Sequence, residues 1–428
     1  MQQSFIGWVD LSEDDTRKAT EFLKSLNEGT VDELGLGRIR DAISERLFPG
    51  TSTTMDYARY LVMIPAIFRD AWDTGTADTD KLENELRRFL KNTMKAEETT
   101  TWRELEINSK PSAENWSALR KLGILKGDCS KSFYRNEIKR QKANAENHGD
   151  ESKSSNELPE KLEWDHEVEV AVKGSDFCQK GKEWWKKGTL SKEFTVGQRA
   201  FDLTRSEAKY LLNKYTSAED ISKKKTGDRI RFSDSLMSFN LKNAQAIAKE
   251  QNFPWEWPKP PELKSLLTQA KKFSCFSAIL TTSYWHFLLM KKDRSRSEAR
   301  DLLEINWQNA QKLLKDWACT REFESVLSRS KIKTSQLKSD IRFLQSCLTV
   351  FHAAKSGQAF LENIEAIIQR REGHLRNGKA KLAENTKLLD SWEVPKGAIA
   401  DLQKHFVLFD FRSRVARRIV NDILKGLN

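Results

Sequence analysis

The residues best suited to chemistry are cations in short runs. Arg370-Arg371-Glu372-Gly373-His374-Leu375-Arg376-Asn377-Gly378-Lys379-Ala380-Lys381 sets basic side chains around two glycines. Guanidinium, ammonium and backbone N–H groups so placed approach phosphate oxygens, which makes Arg370, Arg371, Arg376, Lys379 and Lys381 candidate nucleic-acid contacts. A helix C-terminus that simply attracts cations is the plainer alternative. A second run, Phe411-Arg412-Ser413-Arg414-Val415-Ala416-Arg417-Arg418-Ile419-Val420-Asn421-Asp422-Ile423, places Phe411, Val415, Ile419 and Ile423 on one helical stripe. Arg412, Arg417 and Arg418 then face outward, toward a partner subunit or a nucleic-acid backbone. Lys139, Arg140 and Lys142 close a third basic stretch, with a solvated helix end as the alternative. Trp184, Trp185, Trp255 and Trp257 lie among lysines and could stack bases, although core packing is the commoner use of tryptophan.

Catalytic constellations are not evident. There is no GxxxxGK[ST] loop, and Gly35-Leu36-Gly37 is a fragment of a dinucleotide fingerprint that reads better as a helix start. His148, His166, His286, His352, His374 and His405 are scattered, as are Cys129, Cys178, Cys275, Cys319 and Cys347, so no metal site and no cofactor are expected. His286 falls on an apolar stretch and reads as core. Asp165-His166-Glu167 and Glu104-Leu105-Glu106 pair acids but lack the lysine that a metal nuclease places after them. No Gly-x-Ser-x-Gly elbow is present.

The elements that must position these cations follow from periodicity. Ser12 caps a helix through Ala19, Phe22, Leu23 and Leu26, and Leu36, Ile39, Ile43 and Leu47 repeat at helical spacing until Pro49-Gly50. Ser52 or Thr53 is expected to cap an apolar helix through Tyr60, Leu61, Ile64, Ile67, Phe68 and Trp72, kinked at Pro65. Together these resemble a helix-turn-helix bundle, with Arg38, Arg40, Arg59 and Tyr60 as partners of Asp32 and Asp41. A charged helix is expected from Asp80 to Ala96. Trp116 to Leu125 reads as a short helix turning at Gly123 into an extended piece, followed by a basic helix from Lys131 to Lys142; this is a candidate winged-helix element. Thr204-Arg205-Ser206-Glu207 has the form of a capping box. Pro254-Trp255-Glu256-Trp257-Pro258 is a rigid connector, and beyond it long helical spacings run through Leu263, Phe273, Ile279, Trp307, Leu344 and Ile364.

The chain has 428 residues, of which 38% are hydrophobic and 32% charged, a ratio suited to long solvated helices. With 13 Trp, 22 Phe and 6 Tyr it has ample material for a core. The expected fold is mainly α, a multidomain helical protein with a long helical C-terminal half. Its divisions are expected at 1–142, a linker over 143–160, a Trp-rich middle over 161–258 and a helical domain over 259–428. A net charge of +11 favours an acidic partner such as nucleic acid. No apolar run approaches the roughly 18 residues of a membrane span, and no signal segment is evident, so a cytoplasmic protein is expected.

Gly7-Trp8-Val9-Asp10-Leu11-Ser12, Asp32 to Ala42, Phe48-Pro49-Gly50-Thr51-Ser52-Thr53, Ala58-Arg59-Tyr60 and the closing Asp410 to Leu427 together resemble the bacterial domain of unknown function 6361 family, with Phe201-Asp202-Leu203-Thr204 and Pro254-Trp255 as middle landmarks. The resemblance implies an accessory subunit in an anti-phage setting, beside a helicase or a phospholipase-D-like nuclease. The expected function is therefore a non-catalytic accessory subunit that binds DNA, a helicase or nuclease partner, or both, with no membrane and no small-molecule substrate. The alternatives are a protein scaffold without nucleic-acid contact and a cryptic metal-dependent nuclease.

Overall fold

The computed structural model describes residues 33–53, 55, 57–73, 79–84, 111–127, 129–148, 163–168, 201–218, 231–243, 253–292, 298–318, 323, 327, 334–376, 380–383 and 408–428. In chain order the helices are α1 (Gly37–Leu47), α2 (Tyr60–Asp73), α3 (Pro111–Lys121), α4 (Lys131–His148), α5 (Arg205–Ser217), α6 (Leu236–Lys242), α7 (Lys264–Lys291), α8 (Glu298–Leu314), α9 (Thr334–Ala353), α10 (Gly357–Arg376) and α11 (Ser413–Leu427). Strand pairing among the described residues is limited to isolated bridges such as Leu125 with Trp164, so the chain is mainly α. It forms two compact units, the first from Met1–Ile43 and Leu266–Phe409, the second from Ser44–Ser265 and Asp410–Asn428.

In the first unit α7 is apolar almost all round, with Phe273, Phe276, Ile279, Leu280, Tyr284 and Leu288 buried. A helix of that kind has to sit inside others. Phe276 meets Phe351 of α9 at 5.8 Å, and Trp307 of α8 meets Phe351 at 4.8 Å and Phe360 of α10 at 5.5 Å. Trp317 donates its indole N–H to Gln269 at 2.8 Å, which settles a buried donor. The half-buried His286 ring has its pKa lowered by that burial and then by Arg300. The helices α9 and α10 are joined by the short turn at 354–356 and pack as an antiparallel pair.

The second unit is built on two packing centres. Phe68 of α2, Trp116 of α3, Tyr134 of α4 and Trp164 close on one another with ring centroids 5.0–6.4 Å apart. Their polar atoms are used in turn: Trp164 Nε1 donates to the Tyr134 hydroxyl at 2.9 Å, and Trp116 Nε1 to the Cys129 carbonyl at 2.9 Å. At the other centre α11 lays Val415, Ala416, Ile419, Val420 and Ile423 against α5 and α6. Gly426 lets this contact close, since a Cβ there would meet Leu203 and Ala208 atoms at 2.9 Å. The carboxylate of Glu207 caps α5 through Thr204 as the sequence predicts, and the same carboxylate receives buried Arg59, with Nε to Oε2 at 3.3 Å.

Several local expectations change. The helix expected from Ser52 or Thr53 starts at Tyr60; Ala58 and Arg59 form a turn just before it, and the Ala58 N–H is taken by the Asp422 carboxylate at 3.2 Å. Pro65 lies inside α2. The basic helix runs past Lys142 to His148, into the stretch expected as a linker; residues 149–160 lie outside the described ones. The first expected helix, Asp32 and the acidic pair at Glu104 also lie outside them, and the helix expected from Asp80 is described over 79–84. Arg40 does pair with Asp41, at 3.1 Å, whereas Arg38 and Arg59 find Asp340 and Glu207 instead. The apolar stripe of α11, by contrast, is buried inside its own unit as expected.

Candidate nucleic-acid interface

The run from Arg370 to Lys381 begins on the last turns of α10, whose inward face is Phe360, Leu361, Ile364 and Ile368. Arg371 continues that inward face. Its side chain is 5% exposed and bonds Asp340, while Nε donates to the Leu34 carbonyl at 3.0 Å and Nη1 to Ser339 at 3.3 Å. The guanidinium also stacks on Phe343, 4.9 Å from its ring centroid. Asp340 holds a second arginine, Arg38, through Nε at 3.2 Å and Nη2 at 2.7 Å. Gly35 has a φ of +69°, and a Cβ there would lie 2.8 Å from Arg371 Nη2 and 3.0 Å from Arg38 Nη2. Both the turn and the close guanidinium approach therefore require glycine.

Two further acids complete this clasp. Glu33 receives Arg376 and, at 3.1 Å, Lys381. Glu372 is fully buried and accepts from the Tyr284 hydroxyl at 2.6 Å and from the Lys381 and Leu382 backbone N–H groups, both at 2.9 Å. Burial, with Glu33 and Glu372 adding to it, pushes the Tyr284 hydroxyl well above its usual range and keeps it a donor. Arg371, Arg376 and Lys381 thus spend their charge on carboxylates inside the protein. A desolvated guanidinium held by a carboxylate and a carbonyl does not turn outward to a phosphate without breaking those bonds.

Arg412 is used in the same way. Its Nη1 donates to the Thr51 carbonyl at 2.8 Å and lies 3.5 Å from Glu45, which Lys121 also reaches at 2.6 Å. Arg417 and Arg418 are half-exposed, and both are engaged within the protein. Lys379 lies outside the described residues, as does the side chain of Lys142. What remains outward is Arg370 on α10 and, on α4, Lys139 and Arg140. Arg140 is 69% exposed and makes one surface pair, with Glu137 at 2.7 Å.

The setting of α4 fixes how those cations stand. Tyr134 and Ile138 are its buried residues, while Ser132, Phe133, Asn136, Lys139 and Arg140 are exposed. Its first turn is pinned from below: Lys131 reaches buried Glu83 at 2.9 Å, Arg135 bonds Asp80, and Glu83 also accepts from the Ser112 N–H at 3.0 Å at the start of α3. Between α3 and α4 the chain turns at Gly123, with φ +65°, and Ile124 to Lys126 pair with Glu163 to Asp165 through bonds of 2.8 and 2.9 Å.

The other chemical candidates fold into the scaffold. Asp165 accepts from Tyr210 at 3.1 Å and is bonded by Lys214, which leaves it a packing role. Trp257 is buried against Phe48 at 5.0 Å, Trp255 is half-exposed and stacked on Phe253 at 4.9 Å, and Trp184 and Trp185 lie outside the described residues. Cys129, Cys275 and Cys347 are buried and form no disulfide among the described residues; burial raises the pKa of the first two, Cys275 to about 12. Among the described residues no group of His, Cys, Asp and Glu is placed to hold a metal ion, and no helix is long and apolar enough to cross a membrane. Sequence reasoning missed the acids Glu33, Glu45, Asp340 and Glu372, and nothing near them in the chain signals their arginines.

No curated protein and no solved structure matches the chain. A family model does match, over residues 3–139, a narrower span than the sequence resemblance suggests because the closing arginine-rich helix falls outside it. Over that N-terminal span, which takes in α1 to α3 and the start of α4, the chain is similar to the family of unknown function DUF6361.

Proposed function

We propose that the chain is a non-catalytic accessory subunit that engages DNA through α4, presented by α3 and the 124–126/163–165 pairing in the manner of a winged-helix element. The observation that carries this reading is the outward stance of Lys139 and Arg140 on a helix whose opposite side is locked by Tyr134 and Ile138. Positioning cations on a rigid helix lowers the ordering cost of a phosphate contact. The family resemblance supplies the setting, a helicase or phospholipase-D-like nuclease partner in cytoplasmic anti-phage defence. Among the described residues the buried thiols of Cys129, Cys275 and Cys347 form no disulfide, which suits a reducing compartment.

A scaffold without nucleic-acid contact is the rival, and it draws on the internal use of Arg371, Arg376, Lys381 and Arg412. Fluorescence anisotropy of the full chain with a labelled mixed-sequence duplex, over a series of salt concentrations, separates the two. The wild type is expected to lose affinity steeply with salt, and Lys139→Glu with Arg140→Glu is expected to flatten the log–log slope by about 0.9 per lost contact. Binding indifferent to salt, or to both substitutions, favours the scaffold.

A further inference from the structure

The pair α9 and α10 carries a cationic face centred outside the dense basic runs of the chain. The exposed residues of α9 are Ser335, Gln336, Lys338, Arg342, Gln345, Ser346, Thr349, His352 and Ala353. None is acidic, and the one carboxylate of this helix, Asp340, is 1% exposed and already holds Arg38 and Arg371. Lys338 and Arg342, four residues apart, share the outward side of α9 nearly opposite buried Asp340, and Arg370 adds an exposed cation on the neighbouring α10. No carboxylate stands three or four residues from any of these cations on its own helix. Among the described residues none of the three enters an ion pair or side-chain hydrogen bond.

Lys338 and Arg342 are one turn apart, where like charges repel and weaken the helix. The fold draws nothing from that pairing, since the neighbouring packing is made by Leu337, Ile341 and Leu344. We infer that this face is a second polyanion site, in the first unit, that seats the sugar–phosphate backbone of duplex DNA. Three features select that occupant. The cations are accompanied on α9 by exposed Ser335, Gln336 and Gln345, donors of the kind that commonly meet phosphate oxygens. No carboxylate is exposed on α9 to repel a polyanion, and exposed Glu362 of α10 stands two turns from Arg370. No exposed Phe, Tyr or Trp lies on α9, so the stacking platform of a single-strand binder is missing.

The site is independent of the one proposed on α4, because the two lie in different units and share no residue. The test uses the full chain, a labelled duplex and single strand of the same sequence, and two sets of substitutions. Lys338→Gln/Arg342→Gln/Arg370→Gln is the first, and Lys139→Gln/Arg140→Gln is the second. The first set is expected to reduce the magnitude of the salt slope by about 2.7, equivalent to roughly 40-fold less loss of affinity over a fourfold rise in salt. Amide exchange of α4, α9 and α10 that matches the wild type confirms that these exposed changes leave each unit intact. Unchanged duplex affinity and slope in the first set overturns the α9–α10 site while leaving α4 standing if the second set still weakens binding. Loss in the first set alone overturns the α4 reading and supports this one. Stronger binding to the single strand than to the duplex, or no DNA binding by the wild type, also overturns it.

Discussion

Arg371→Ala separates a structural arginine from a phosphate ligand. The substitution removes bonds to the Leu34 carbonyl, Ser339 and Asp340, together with the guanidinium stacked on Phe343. At about 1 kcal/mol for each hydrogen bond, and more for the charged one, the direct loss is about 3–4 kcal/mol. Truncating one partner of a buried ion pair typically costs about 3–5 kcal/mol, which agrees. Asp340 keeps Arg38, at 2.7 and 3.2 Å, so it is not stranded and the lower end of that range applies. Because the chain has two compact units, a single unfolding midpoint is a poor measure, and hydrogen exchange of the α9 and α10 amides reads the first unit by itself. The opening free energy of those amides is expected to fall by about 3 kcal/mol, while duplex affinity per folded molecule stays unchanged. Asp340→Ala should cost at least as much, and the double variant less than the sum, since both strike one network. The reasoning is refuted if Arg371→Ala costs under about 1 kcal/mol and yet weakens DNA binding, for then the side chain was available to solvent all along.

Three further substitutions test the packing described above. Gly426→Ala is expected to destabilise the second unit by about 1–3 kcal/mol in urea unfolding, because its Cβ would press on Leu203 and Ala208 at 2.9 Å and α11 must move away from α5. Gly35→Ala adds strain at φ +69° and a clash with Arg371 and Arg38, and should lower the exchange protection of α10 without touching α11. Asp422→Asn is a pH test. Burial, with Asp202 adding to it, raises the Asp422 pKa from 3.8 to about 6, against the lowering effect of the Ala58 N–H, Arg418 and Lys425. A carboxyl whose folded pKa is raised contributes stability that is complete below about pH 4 and lost as pH climbs through about 6. The amide stays neutral and still accepts from Ala58, so the variant should gain up to about 2–3 kcal/mol at neutral pH and lose the decline between those two values. A difference between wild type and variant in the exchange protection of α5 and α11 that stays constant from about pH 4 to 6 would show that Asp422 titrates normally.

Periodicity makes much of the fold legible from the residue order alone. Of the stripe Leu36, Ile39, Ile43 and Leu47, the last three become the buried face of α1 with Leu36 buried just ahead of it, Val415, Ile419 and Ile423 become that of α11, and the Thr204-to-Glu207 box caps α5 as its spacing requires. These are local signals, set by 3.6 residues per turn and by one side chain reaching its neighbour's N–H. The start of α2 escapes them for the same reason turned round: Ser52 and Thr53 have cap chemistry, but a tertiary contact from Asp422 to Ala58, 364 residues away, occupies the backbone just ahead of the helix.

The basic runs show where local reading stops. A cation's availability depends on whether an acid is folded against it, and here the partners come from far off: Leu34 and Arg371 are separated by 337 residues, Glu33 and Lys381 by 348, Glu45 and Arg412 by 367. Chain density of Lys and Arg therefore picks out the segments in which cations hold the fold together. It passes over α9, where the cations are fewer but the acid partner is missing. Net charge is a property of the whole sum, and +11 survives whichever arginines are spent inside. Polyanion binding depends instead on the unspent remainder, and on an α-helical protein that remainder shows as a helix exterior carrying Lys or Arg with no carboxylate three or four residues away. By that criterion Lys338 and Arg342 outrank Arg371, Arg376 and Lys381, although the latter lie in the denser run.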